Sequence, residues 1–116
     1  GAYRLPRQIP RAVALEMLAV GDPIDAERAL ALGLVNAVTS DAEVLDMALD
    51  LARRIAQNAP LSVRESLKIA RVAAERTEAE LQELNQAAIA RLMKTEDFAE
   101  GPRAFVEKRA PRWKGR

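Results

Sequence analysis

Apolar side chains recur along this chain at intervals of three and four, and proline, glycine and capping residues interrupt them every ten to twenty positions. The entry, GAYRLPRQIPR, is punctuated by Pro6 and Pro10, and Pro10 suits the first turn of a helix. That helix is predicted over about Arg11 to Val20, with Val13, Met17 and Val20 at core spacing, and Gly21-Asp22-Pro23 ends it. Asp25 is placed to cap a second, short helix through the amide of Glu27 or Arg28, with Ile24 before it as a hydrophobic staple. Gly33 then supplies the left-handed residue that stops it. Leu34-Val35-Asn36-Ala37-Val38 loses the helical period and reads as one short strand.

Beyond it the period returns. Ser40-Asp41-Ala42-Glu43 has the spacing of a capping box and predicts a long helix to about Gln57. Val44, Ala48, Leu51 and Ile55 form its stripe, widened by Leu45, Leu49 and Ala52. Asn58-Ala59-Pro60 breaks the run, because a residue before proline avoids helical geometry. A further helix starts at Leu61-Ser62, with Val63, Leu67, Ala70 and Ala74 inward. Thr77 and Glu80 offer a second capping box for a helix over Glu78 to Met93, carrying Leu81, Leu84, Ala88 and Leu92. Thr95 to Asp97 caps the last helix, which carries Phe98, Phe105 and Val106. Gly101-Pro102 sits awkwardly there, since proline forfeits a backbone bond and crowds the Phe98 carbonyl. The regular part is therefore predicted from about Pro102 to Arg109, with a looser turn before it, and Pro111 releases RWKGR as a tail. The elements make a mainly α fold in one unit, with a single strand at about 34–38.

Composition narrows the chemistry more than it suggests any. Hydrophobic residues are 49% of the 116 but aromatics only 3%, so a core here is built of Ala, Leu, Val and Ile. The chain has no cysteine and no histidine, which removes disulfides, thiol nucleophiles, imidazole bases and the usual zinc ligands. No catalytic or metal-ligating set is predicted. No apolar run approaches the roughly 20 residues of a membrane span, and no signal peptide opens the sequence, so a cytoplasmic protein without membrane contact is expected.

The net charge of +1 conceals a gradient. Residues 1–11 carry three arginines and no acid, and residues 101–116 carry six bases against Glu107, while the stretch between them is acidic. The basic tail KRAPRWKGR, with Trp113, is the best site candidate on composition. The acidic middle disfavours a long phosphate backbone, so no nucleic-acid partner is expected. A compact phosphorylated cofactor needs only two or three cations and fits better. Against this stands the plainer reading, in which the ends are solvated and Trp113 packs the tail onto the body. The carboxylate pairs Asp41/Glu43, Glu78/Glu80 and Glu96/Asp97 fall in first helical turns, where acids cap free amides and complement the helix dipole. Asn36 reads as a turn or backbone contact.

The order of motifs adds what composition does not. GAYRLPRQIP, ALGLVNAV, NAPLSVRESLKIAR and TEDFAEGPRAFVEKRAPRWKGR together resemble the C-terminal part of the enoyl-CoA hydratase/isomerase (crotonase) superfamily, over essentially the whole chain. The resemblance implies a helical module that drives assembly into trimers, or dimers of trimers, and helps close an acyl-CoA site. It implies that the family's ββα spiral, oxyanion amides and catalytic glutamates lie upstream, with Gly1 to Leu5 as the second half of a GG-x-x-RL element, and hence that the chain is a fragment. Lys108, in AFVEKR, resembles the family lysine that reaches the CoA moiety, often in a neighbouring subunit. Ile89 stands where hydratases often set an aromatic against the adenine; isoleucine keeps apolar contact but not stacking. Coenzyme A thioester is expected as substrate, with no tightly bound cofactor. Two functions follow as alternatives: part of an enzyme adding water to 2-enoyl-CoA, inactive in isolation, or a non-catalytic helical self-association module.

Overall fold

The computed structural model describes all residues from Gly1 to Arg116. The chain is helical throughout, and its backbone falls into two compact units, Gly1–Met47 and Ala48–Arg116. The boundary lies inside a helix, which is why no glycine- or proline-rich linker marks it in the sequence.

The first unit opens with α1 (Leu5–Gln8), a single turn that the sequence pattern does not announce. Pro6 occupies its first turn, where a missing N–H costs nothing, and the amides of Arg4 and Leu5 both turn back to the Gly1 carbonyl. Next, α2 (Arg11–Val20) has the predicted bounds, although the residue it buries is Ala14 rather than Val20, which stays exposed. In α3 (Ala26–Ala31) the Asp25 carboxylate accepts the Arg28 amide at 2.7 Å, the expected cap.

At the end of α3 the chain reverses through a closed pair of bonds. The Gly33 amide donates to Leu30 O at 3.0 Å and the Leu34 amide to Ala29 O at 2.9 Å, with Gly33 at φ 73°. The strand expected at 34–38 does not form. Leu34 to Asn36 make bends and Ala37 onward is irregular. A strand is stable only when a neighbouring strand takes up its amides and carbonyls, and every regular element here is a helix.

Helix α4 (Val44–Ala56) begins one turn later than the Ser40 box predicts. The Ser40 hydroxyl donates to the Glu43 carboxylate at 2.7 Å, with Thr39 at 3.1 Å, and the Glu43 amide closes a turn onto Ser40 O. These two hydroxyls lower the Glu43 pKa, Ser40 more than Thr39. The predicted α4 stripe, Val44, Ala48, Leu51 and Ile55, is exposed along its length.

In the second unit Asn58 closes α4 by donating its side-chain amide to Arg54 O at 2.9 Å, and Pro60 then opens α5 (Pro60–Val72). A short 3₁₀ turn at Ala73–Glu75 leads to α6 (Glu78–Leu92). The Thr77 capping box is complete: the hydroxyl accepts the Glu80 amide, and the Glu80 carboxylate accepts the Thr77 amide at 2.8 Å. Helices α5 and α6 pack together. The partly covered positions of α5 are Pro60, Leu61, Val63, Glu65, Ile69 and Val72, not the predicted Leu67 and Ala70. Glu65 reaches across to Arg91 of α6 at 2.6 Å while also holding Lys68 at 2.6 Å; these two cations, Lys68 first, draw its pKa down to about 2.

The last helix, α7, runs Glu96–Val106, straight through Gly101-Pro102. Its regular part was expected to start at Pro102. Instead Thr95 caps it, accepting the Phe98 amide at 3.2 Å, and Pro102 lies in its interior. The bond lost at Pro102 is offset by what grips the helix from outside. Trp113 covers Gly101 so closely that an added Cβ would lie 3.5 Å from the indole. Phe105 and Val106, the apolar residues near the end of α7, are 85% and 78% exposed; Asp97 and Ala104 are its buried residues.

The glycines separate two constraints. Gly33→Ala forces a left-handed alanine and should cost about 1–2 kcal/mol of stability in urea unfolding. Gly101→Ala keeps helical geometry, meets the indole at ordinary contact distance, and should stabilise by about 0.5–1 kcal/mol. Equal effects at the two positions would remove the distinction.

Candidate functional site

The basic segment singled out in the sequence is the most heavily bonded part of the chain. After α7 the residues from Arg109 to Arg116 fold back along the helix, and three carboxylates of its first five residues hold them. Asp97, 4% exposed, accepts the backbone amides of Lys114 at 2.7 Å and Gly115 at 2.8 Å. Glu96 takes Lys114 Nζ at 2.7 Å and Arg116 Nε at 2.9 Å, and its own amide donates to Arg116 O at 2.7 Å. Glu100 receives Arg109 through both terminal nitrogens, at 2.6 and 3.0 Å, and the Arg112 amide at 2.6 Å. Trp113 Nε1 donates to Gln57 O at 2.8 Å, tying the segment to the end of α4.

This bonding settles the charge question for most of the tail. Arg109, Lys114 and Arg116 are engaged by Glu96, Glu100 and Glu107, so their charge is met within the chain. The plainer reading of Trp113, as the residue that packs the tail down, is the observed one. The acids of α7 do more than cap their own helix, however. Asp97 and Glu100 bind amides 12 to 18 residues away, which sequence reasoning missed. A signal exists in retrospect: acids at 96, 97 and 100 fall within little more than one helical turn, facing a segment with bases at nearly every second position.

Electrostatics follow from the geometry. The Glu100 carboxyl is held down to about 2, first by the Arg109 guanidinium and then by the Arg112 amide. Arg109 is pushed up in turn by Glu100 and Glu107. Glu96 is lowered chiefly by the Lys114 ammonium.

Lys108 stands in the middle of this network without joining it. It follows α7 at φ 52°, a left-handed conformation, which costs an L-residue roughly 1–2 kcal/mol. Its amide donates to Phe105 O at 3.2 Å and the Arg109 amide to Ala104 O at 3.1 Å, the same closed pair of bonds that Gly33 makes after α3. The side chain is exposed while its neighbour Arg109 is paired. Ile89 lies on α6, 45% exposed. The two residues stand on separate elements, each accessible from outside the chain. No cluster of carboxylates capable of holding a metal ion is present, and no helix is long and apolar enough to cross a membrane.

Comparison with known proteins gives a consistent result. A family model described as enoyl-CoA hydratase/isomerase matches residues 1–116. Carnitinyl-CoA dehydratase of Proteus mirabilis is 41% identical over 120 residues, covering 100% of this chain and 46% of that protein. The protein of that name from Escherichia coli K12 is 38% identical with the same coverage. Among solved structures, an enoyl-CoA hydratase from Mycobacterium tuberculosis superposes with a TM-score of 0.93 at 36% identity, over 99% of this chain and 46% of that one. One from Geobacillus kaustophilus gives 0.93 at 34% identity, over 100% and 44%. The chain thus spans a little under half the length of the relatives it matches.

Acid should loosen the tail. Glu100 and Glu65 have pKa values depressed from 4.5 to about 2, so the stability they contribute is present above pH 4.5 and lost as pH falls toward 2. Fluorescence of the single tryptophan should report release of Trp113 within that window. Glu100→Gln should flatten the dependence, and an unchanged acid transition in that variant would count against the clamp.

Proposed function

The chain belongs to the enoyl-CoA hydratase/isomerase family, and from that membership we propose that it is the helical C-terminal part of an enzyme acting on acyl-CoA thioesters. The reaction of the full-length protein is the addition of water across the 2,3 double bond of a 2-enoyl-CoA. The observation that carries this reading is a match along the entire chain to proteins about twice as long, by a chain whose apolar helix faces are open. Val44, Leu45, Leu49, Leu51 and Ile55 of α4 and Phe105 and Val106 of α7 are exposed, and no large side chain is fully buried. Contiguous apolar surface of this kind is ordinarily covered by protein. In this reading the rest of the full-length protein and neighbouring subunits cover it, in a trimer or dimer of trimers.

The division of labour follows. Amides that stabilise the enolate oxyanion, and the glutamates that move protons to and from water, lie in the rest of the protein. This part shapes and closes the coenzyme A site. Lys108 offers a point charge on a flexible arm to a CoA phosphate or ribose. Ile89 offers apolar contact to the adenine. The thioester is substrate, with no further cofactor, and the setting is the cytoplasm.

A second reading, a helical self-association module without catalysis, rests on the same exposed faces. An in-frame upstream extension in the genomic DNA carrying the family's glutamates supports the enzyme, and a start codon at this point supports the module.

Three measurements test these statements. The 116-residue chain alone should hydrate crotonyl-CoA no faster than a buffer blank, and turnover by carefully purified chain would overturn the assignment of catalysis to the rest of the protein. At tens of micromolar, by rough estimate, the isolated chain should self-associate or melt without cooperativity, whereas a compact monomer with a sharp transition speaks against the open faces as interfaces. In the full-length protein, Lys108→Ala should raise KM for acyl-CoA by roughly tenfold at low salt. The effect should shrink as salt rises, and kcat should hold, because the contact is equal in ground and transition states. Lys94→Ala, another exposed lysine, is the control.

A further inference from the structure

Lys108 occupies a strained turn, and both of its neighbours are tied down. Glu107 bonds Arg109 Nε across the turn, and Arg109 Nη1 also donates to Ala110 O at 3.0 Å. These bonds are local and move with the turn. The bonds to Glu100 differ, because Glu100 sits about two helical turns earlier on α7, on backbone held by the helix ladder. Its carboxylate receives the two terminal nitrogens of Arg109, and the oxygen that accepts Nη1 also accepts the Arg112 amide. Only 14% of its side chain is exposed. A guanidinium bound through two parallel bonds is fixed in orientation as well as position. Residue 109 therefore cannot rotate about the end of α7 without breaking both.

We propose that Glu100 is a positioning residue for Lys108: by gripping Arg109 and the Arg112 amide it holds the left-handed turn that presents the lysine ammonium to the coenzyme A substrate. The proposal rests on the reading of Lys108 as a CoA contact and adds the residue that aims it. Lysine brings a long stem with many rotamers, and holding its backbone in advance reduces what must be ordered on binding. The glycine at the matching position after α3, Gly33, takes the left-handed conformation without strain, so it needs no such brace. A non-glycine residue does. The Arg109 guanidinium and the Arg112 amide hold the Glu100 carboxyl at about 2, so the grip stays ionised well into acid.

The experiment is a double-mutant cycle in the full-length protein, with Glu100→Gln, Lys108→Ala and the pair, read as KM and kcat for crotonyl-CoA. Glu100→Gln should raise KM roughly three- to tenfold, within the lower part of the coupling seen between residues that act together, with kcat unchanged. In the Lys108→Ala background the same substitution should change KM less than about twofold. Arg109→Lys keeps the charge and loses the fork; it should follow the same pattern, and it decides the matter if Glu100→Gln does not fold. A rise in KM of equal size in both backgrounds means that Glu100 only fastens the tail, and overturns the proposal. So does an unchanged KM in Glu100→Gln when Lys108→Ala raises it. If Lys108→Ala itself leaves KM unchanged, the CoA reading of that lysine falls and the positioning role falls with it.

Discussion

The second unit depends on one constraint: a helix with proline in its interior stays regular because the segment that follows is bonded back along it. Asp97 is the centre of this arrangement. A carboxylate 4% exposed is tolerable only if its charge is met, and two backbone amides from residues 114 and 115 meet it. Glu96 and Glu100 on either side fix the remainder, and the Trp113 indole closes over Gly101. A residue larger than alanine at 101 would press on the indole. The AEGPRA stretch thus combines a small residue where a ring must lie, a proline whose lost bond is offset from outside, and an acid for the fork of Arg109.

Apolar burial, by contrast, is small. The buried apolar residues are Ile9 and four alanines, Ala14, Ala29, Ala88 and Ala104. Alanines in helix contacts allow close approach but remove little area from water. Local devices carry much of the order instead: the Asp25, Thr77 and Thr95 caps and the closed turns at Gly33 and Lys108. Helices specified this locally hold their form while leaving leucine, valine and isoleucine outward, which suits a segment that completes its core against other protein.

Charge shows the same economy of position. A segment that reads as strongly basic in isolation has Arg109, Lys114 and Arg116 paired with acids of α7, and Lys108 stands outside these pairs, held in the least comfortable backbone of the region. Net charge by segment pointed to the stretch where the ion pairs concentrate. It did not distinguish the cations paired within the chain from those that stand outside the pairs.

What the sequence determined by itself was local or familial. The α2 bounds, the Asp25 and Thr77 caps, the Gly33 stop and the break before Pro60 each depend on residues within four positions, so the pattern contains them. The family was legible because its motifs recur in order along the chain. What tertiary structure decided was everything that required a partner distant in sequence. Leu34–Val38 has strand composition but no strand to pair with, so it bends. The α7 helix passes through Gly101-Pro102 because Trp113 and the tail hold it, a contact no helical propensity encodes. Phe105 and Val106 follow the apolar code yet face outward, since hydrophobicity says that a side chain will be covered and not by which part of the protein.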